Sequence, residues 1–205
     1  MLIIGIAGGS GSGKTFLTKK IFQSFKNKCV VIHQDSYYKD LSHLGMKERI
    51  SINFDHPNSI DIKLLIKDVK TLINGESILQ PIYDFSNHTR KQKYLTINPN
   101  QIIIVEGILI FHFKELANLF SLKIFLDIDP DIRFIRRLKR DIKDRKRHVK
   151  DICKQYLNFV KPMHELFVEK TKYNSDIVLK NQYDYNLVLD TIKNNLIKVN
   201  EPKIK

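Results

Sequence analysis

Gly8-Gly9-Ser10-Gly11-Ser12-Gly13-Lys14-Thr15 reads G-x-x-x-x-G-K-[ST], and this stretch decides the fold. Glycines leave no Cβ to block a positive φ or the close approach of an anion, so the backbone can turn its N–H groups inward around phosphate. Lys14 puts a point charge on the β- and γ-phosphates, and the Thr15 hydroxyl is a Mg²⁺ ligand. Leu2–Ala7 ahead of the loop is a short apolar run suited to a buried strand. Phe16, Leu17, Ile21, Phe22 and Phe25 follow it at helical spacing. Strand, glycine loop and helix N-terminus together make a phosphate cradle. A flexible Gly/Ser linker is the bland alternative, but linkers do not sit between a buried strand and an amphipathic helix.

Outward from this loop, apolar runs at Cys29–Gln34, Gln101–Val105, Leu122–Asp127 and Ser175–Leu179 bring the strands to five. Helical periodicity runs over Ile62–Ile73, from Pro130 onward, over Ile152–Phe167 and over Tyr185–Val199. The expectation is an α/β fold with a five-stranded, mostly parallel sheet, in which ligands gather at the carboxyl ends of strands. Asp35 and Glu106 each end one such strand. Asp35 is either an acid beside the phosphates or a turn residue. Glu106 takes the place of the acid that holds Mg²⁺ directly or through water. Asn58 or Ser59 is the expected cap of the helix from Ile62, and Asn74-Gly75 its end. Pro162 predicts a kink or an early stop. The polar tail Asn200–Lys205 is expected to fray.

Ser77–Tyr83 and Lys91–Ile97 read as a hairpin around Asp84–Arg90. Its tip carries Tyr83, Phe85 and His88, which either stack on a nucleobase or form a satellite hydrophobic cluster. Arg133, Arg136, Arg137 and Arg140 share one helical face, with Ile132, Ile135, Leu138 and Ile142 roughly opposite. The apolar side is expected to pack while the other presents guanidiniums, as a solvated face or as a lid over phosphates. Asp127, Asp129 and Asp131 read as a turn and the acidic start of that helix.

A chain of 205 residues with 42% hydrophobic content suits one domain with a full core. Cys29 and Cys153 make neither metal spacing nor a disulfide framework, which points to a reducing compartment. Met1–Ala7 has no basic leader, and no apolar run approaches the ~18 residues of a membrane span. A cytoplasmic protein with no membrane partner is expected. The net charge of +13 fits either a nucleic-acid surface or an enzyme of polyanionic substrates. Arginines gathered on one helix, without an interleaved aromatic platform, favour the enzyme and no nucleic-acid partner.

The segments GIAGGSGSGKT (5–15), QDSYYK (34–39), NFDHP (53–57), PIYDFSNHTRK (81–91), VEGIL (105–109), RFIRRLKRDIKDRKR (133–147) and QYLNFVKPMHELFVE (155–169) together resemble the uridine–cytidine kinases of the P-loop group, over about residues 1–180. The resemblance implies one three-layer P-loop kinase domain over 1–205, with a nucleoside-binding β-hairpin at about 77–97 and a helical lid at about 130–150. It implies transfer of the γ-phosphoryl of ATP or GTP to the 5′-hydroxyl of uridine or cytidine in pyrimidine salvage, with Mg²⁺, by a homo-oligomer that is a tetramer in relatives. Asp35 is then the general base, and Thr15, Asp35 and Glu106 surround Mg²⁺. Asp55 and Arg137 hold the ribose. Tyr83, Phe85 and His88 form the base pocket, with Arg147 and Gln155 as further nucleoside contacts. Lys14, Arg140 and Arg145 act on the transferring phosphates.

Three departures stand out. Lys146 occupies a position where many relatives carry glycine, and Lys170 and Lys180 stand where they often carry proline. Asn181-Gln182-Tyr183-Asp184-Tyr185 replaces a Gly-rich turn near the donor base, with Asp184 as a candidate nucleotide contact. A kinase of another small alcohol, phosphoribulokinase-like or pantothenate-kinase-like, is the alternative within the same fold. The Tyr83–His88 tip discriminates, since only a nucleobase reader needs it.

Overall fold

The computed structural model describes residues 1–181 and 183–200. The chain runs β1 (Leu2–Gly8), α1 (Lys14–Ser24), β2 (Cys29–His33), α2 (Met46–Ser51), α3 (Ile62–Ile73), β3 (Ile78–Asp84), β4 (Thr89–Ile97), β5 (Ile102–Gly107), α4 (Lys114–Ala117), β6 (Leu122–Leu126) and α5 (Pro130–Lys143). A long helical passage follows. It comprises α6 (Val149–Gln155), a π-helical turn at Tyr156–Val160, α7 (Lys161–Met163), a second π-helical turn at His164–Val168 and a 3₁₀ stretch at Glu169–Asn174. β7 (Ile177–Leu179) and α8 (Tyr185–Asn200) come last.

The sheet order is β2-β5-β1-β6-β7, and every pairing is parallel. Parallel sheets need cover on both faces, and the period-2 alternation of β1 supplies two apolar faces. Leu2, Ile4 and Ile6 pack with Leu17 and Ile21 of α1 and Val188 and Ile192 of α8. Ile3 and Ala7 face the other way, with Leu65, Val69 and Leu72 of α3. Helix, sheet and helix make the three layers. The register brings the carboxyl ends level, with His33 beside Glu106, Ala7 beside Gly107 and Gly8 beside Leu126. β3 and β4 form a separate antiparallel hairpin.

The structure corrects several local expectations. Asp61, not Asn58 or Ser59, caps α3, its Oδ1 accepting the Leu64 N–H at 3.2 Å. Asn58 and Ser59 belong to a preceding 3₁₀ turn capped by His56. Asn74 and Gly75 (φ 86°) do end α3. Pro162 neither stops nor shortens its helix. The π-helical turns on either side widen the ladder there, which accommodates a residue with no N–H to donate. Of the tail expected to fray, Asn200 ends α8 and residues 201–205 lie outside the described residues. No helix among the described residues is long and apolar enough to cross a membrane.

The largest correction concerns α5. Arg133, Arg137 and Asp141 are its buried side chains, at 4%, 6% and 0% exposure, whereas Ile132, Ile135 and Ile142 are exposed at 39–45%. The arginine side is the packed one. Its neighbour is the polar glycine loop rather than an apolar sheet face, and hydrogen bonds decide which side is buried. Arg133 Nε donates to the Ile128 carbonyl at 2.9 Å, and Arg137 Nη1 to Ser10 Oγ at 2.8 Å. Buried charge is tolerated where such partners exist.

Candidate active site

The glycine loop leads from the carboxyl end of β1 into α1. Gly8, Gly11 and Gly13 take φ values of 145°, 83° and 98°, which residues with a Cβ adopt only under strain. Gly13 caps α1 without a side-chain hydrogen bond, so the first helical N–H groups stay free for an anion. Ser12 N–H donates to the Gly9 carbonyl at 3.1 Å and tightens the loop. Lys14 lies over it, Nζ donating to the Gly8 and Gly9 carbonyls at 2.9 and 3.2 Å. Burial lowers the Lys14 pKa, and Glu106 and Asp35 pull it back up. Thr15, in the first turn, is exposed.

Asp35 arrives on a 3₁₀ turn, Gln34–Tyr37, directly after β2. Fully buried Gln34 fixes that turn, its Oε1 accepting the Leu109 N–H at 2.8 Å. Burial pushes the Asp35 pKa up and Glu106 adds to the push, against Lys14, Arg145 and Arg140. Glu106 behaves oppositely. Burial raises it, but a 2.7 Å hydrogen bond to His33 Nδ1 and the Lys14 charge hold it below the ordinary carboxylate value. Two neighbouring carboxylates with proton affinities driven apart are the pattern of an acid–base site. Thr15, Asp35 and Glu106 also offer the hard oxygen donors that Mg²⁺ takes, alongside waters and substrate oxygens. The repulsion between the two carboxylates is what a divalent cation relieves, so these residues fit Mg²⁺.

The hairpin tip carries an aromatic cluster. His88, at φ 50°, stacks on Phe54 with ring centroids 5.0 Å apart and an 18° interplanar angle. Phe54 also meets Tyr38 and Tyr83 edge-on at 5.3 and 6.4 Å, and Tyr83 meets Phe85 at 5.3 Å. Burial, then the charges of Arg147 and Arg145, lower the His88 pKa. Arg90 and Arg49 pin the tip in place. Arg90 donates to the Tyr38 carbonyl at 2.8 Å and pairs with Asp61 at 3.2 Å, while Arg49 donates to the Asn87 carbonyl at 3.0 Å. Phe54 and Tyr38 were not singled out from the sequence. Their signal was an aromatic inside each of the two turn-like segments, Gln34–Lys39 and Asn53–Pro57.

Asp55 lies on the second of those turns, its N–H donating to Asn53 Oδ1 at 3.1 Å. Burial raises its pKa and Arg137 opposes the rise. A small cavity lined by Gly9, Ser10, Asp55 and His164 joins it to the glycine loop. Gln155 Oε1 accepts from Arg137 Nη2 at 2.9 Å and Arg147 Nη1 at 2.7 Å, tying both arginines to α6. Asp141, also missed from the sequence, is the buried carboxylate on which Arg137, Arg140, Arg145 and Arg147 converge. Its signal was an acid embedded in the basic run. Arg145 lays its guanidinium 5.4 Å from the Phe85 ring centroid, which links the turn after α5 to the hairpin. Lys146 takes φ 53°, the left-handed conformation that glycine adopts freely.

Asp184 stands on an exposed turn, its N–H donating to the Asn181 carbonyl at 3.2 Å. Gln182 lies outside the described residues. On either side of Asp184, Tyr183 and Tyr185 meet Phe16 of α1 edge-on at 5.7 and 6.2 Å. The structure therefore gathers Lys14, Asp35, Glu106, Arg140 and Arg145 at one centre. Arg137 and Arg147 join Arg140 and Arg145 on Asp141 and share Gln155, the charge of Arg137 acts on Asp55, and the Asp184 turn lies against Phe16 of α1.

Residues 3–187 match the model of the phosphoribulokinase/uridine kinase family. The uridine kinase of Clostridium novyi is 50% identical over 179 residues, 87% of this chain and 86% of that protein. The uridine kinase of Clostridium tetani is 46% identical over 196 residues, 95% and 94% of the two. Among solved structures, phosphoribulokinase from Rhodobacter spheroides shares the fold, with a TM-score of 0.55 at 16% identity, covering 81% of this chain and 67% of that one. With the glycine loop, the paired carboxylates and the arginine helix assembled as described, this chain belongs to the phosphoribulokinase/uridine kinase family.

Proposed function

We propose that this chain is a nucleoside kinase that transfers the γ-phosphoryl of ATP or GTP to the 5′-hydroxyl of uridine or cytidine, yielding UMP or CMP for pyrimidine salvage in the cytoplasm. The observation that carries the reading is the cluster of Phe54, Tyr83, Phe85 and His88 rings, joined to the Asp35 side of the site by Arg145, which lies over Phe85 and whose charge acts on Asp35. An aromatic cluster offers ring faces on which a nucleobase stacks. A kinase of a sugar phosphate or a polyol has no use for one.

The residues divide the work. Asp35 accepts the proton of the 5′-hydroxyl, a role worth about 10²–10⁴-fold. Asp55 and Arg137 hold the ribose hydroxyls, and Arg147 and Gln155 close the nucleoside side. Lys14 and the loop N–H groups seat the donor's phosphates, and Arg140 and Arg145 neutralise the charge of the transferring group. Thr15, Asp35 and Glu106 hold Mg²⁺, which supplies charge neutralisation on the phosphates. The Asp184 turn contacts the donor base, with Tyr183 and Phe16 beside it.

The test is product formation. Purified protein is mixed with Mg²⁺, ATP or GTP, and a panel of uridine, cytidine, adenosine, pantothenate and ribulose 5-phosphate. Monophosphate from uridine or cytidine, lost in Asp35→Asn, is the expected result. Turnover confined to a non-nucleoside refutes the proposal.

A further inference from the structure

Asp141 has no exposed surface, yet four arginines converge on its carboxylate. Arg140 reaches Oδ1 through Nε at 2.9 Å and Nη2 at 2.8 Å, and Arg145 Nη1 stands 3.7 Å from the same oxygen. Arg137 Nε and Arg147 Nη1 face Oδ2 at 3.7 and 3.4 Å. The four differ in what else holds them. Arg137 and Arg147 share Gln155 Oε1, and Arg137 also donates to Ser10 Oγ. Their positions are over-determined. Arg140 and Arg145 keep 38% and 37% of their side chains exposed; both pair with Asp141, and Arg145 also lies over the Phe85 ring. Only the arginine end of each pair reaches solvent, so an incoming anion can approach the guanidiniums from the side away from Asp141. A polyphosphate on the adjacent glycine loop offers guanidinium forks the same geometry with more negative charge.

We propose that Asp141 is an internal counter-anion that competes with the donor's phosphates for Arg140 and Arg145. It parks the two guanidiniums beside the glycine loop until the phosphates take them over. Asp141 is thus a positioning residue and touches no reacting atom. The inference rests on the reading of Arg140 and Arg145 as phosphate-binding residues. Its consequence is opposite in sign to that of an ordinary structural contact. Loss of the carboxylate leaves the arginines freer to bind anions, so polyphosphate affinity rises. Their placement on the transferring group becomes less exact, so turnover falls.

The experiment compares the full-length wild type with Asp141→Asn and Asp141→Glu. Calorimetry measures affinity for inorganic tripolyphosphate, and a product assay measures turnover of uridine. Asp141→Asn is expected to bind tripolyphosphate about tenfold more tightly than wild type, while its kcat falls. Asp141→Glu keeps the charge and should bind at wild-type affinity. Unchanged or weaker binding by Asp141→Asn overturns the proposal, because a merely structural residue would lose affinity and turnover together. Tightening by Asp141→Glu equal to that of Asp141→Asn also overturns it, as does an Asp141→Asn chain that cannot fold. A wild type that binds tripolyphosphate but phosphorylates neither uridine nor cytidine refutes the proposed function and leaves the affinity comparison standing. A uridine-active wild type without tightening in Asp141→Asn refutes only the inference about Asp141.

Discussion

Gly11 is a free position in the G-x-x-x-x-G-K-[ST] pattern, but α5 makes it stringent. A Cβ at Gly11 would lie 2.2 Å from the Arg133 carbonyl oxygen, 3.0 Å from its carbonyl carbon and 3.2 Å from its Cα. All three are backbone atoms and cannot turn aside. Ordinary contact begins near 3.4 Å, so loop and helix must part by roughly 1 Å, a displacement that costs about 10²-fold in turnover when it misplaces catalytic groups. Gly11 also has φ 83°. Gly75 is an internal control, because it shares the conformation, at φ 86°, with nothing within 4 Å of its Cβ position. Gly75→Ala should therefore cost the left-handed strain alone, about 1–2 kcal/mol. Gly11→Ala should cost that plus about 1–3 kcal/mol of overpacking. Urea unfolding at equal m-values gives the two stabilities, and ATP titration gives the second readout. Gly75→Ala should keep wild-type ATP affinity while Gly11→Ala loses it. Equal stability losses in the two variants, with ATP affinity intact in both, would refute the close packing of α5 on the loop.

Three further outcomes are expected. His88→Ala should raise KM for uridine by about tenfold or more through the lost stacking and leave ATP affinity unchanged; an equal loss of ATP affinity would remove His88 from the base pocket. Lys146→Gly should raise thermal stability by about 0.5–1 kcal/mol, because relief of φ 53° outweighs the added freedom of the unfolded chain, and a lowered Tm would contradict this. Hydrogen bonds from Thr89 first, and then Ser42, hold the Asp40 pKa down to about 2 against an ordinary 3.8. The folded form prefers the carboxylate, so its contribution is complete above about pH 4 and disappears as pH falls toward 2. The stability gap between wild type and Asp40→Asn should close over that range, and a gap that stays constant would show that Asp40 does not tie the hairpin tip to the Tyr38–Ser42 segment.

Read alone, the chain already determined the glycine loop, the five strands, the helices at Ile62, Pro130 and Tyr185 and the hairpin. Each is a local matter. The loop motif encodes its own backbone conformation, and hydrophobic period encodes which residues can share a buried face. The acids at the ends of β2 and β5 were legible for the same reason, since strand ends follow from the apolar runs. What the tertiary structure decided was which surfaces meet. The apolar stripe of α5 argued that its isoleucines pack, yet Arg133 and Arg137 are buried because α5 lies on a polar loop that offers hydrogen bonds in place of an apolar face. The demand for glycine at Gly11 comes from a backbone more than a hundred residues away. Phe54 joins the hairpin aromatics only because the segments that carry Tyr38, Phe54 and His88 close around one another. Asp141 stands in a run of charges that looks solvated in one dimension, and it is the convergence of arginines from α5 and from the turn after it that buries it. Periodicity reports how much of a helix is buried more faithfully than what it is buried against, and at this site the neighbour is a phosphate loop.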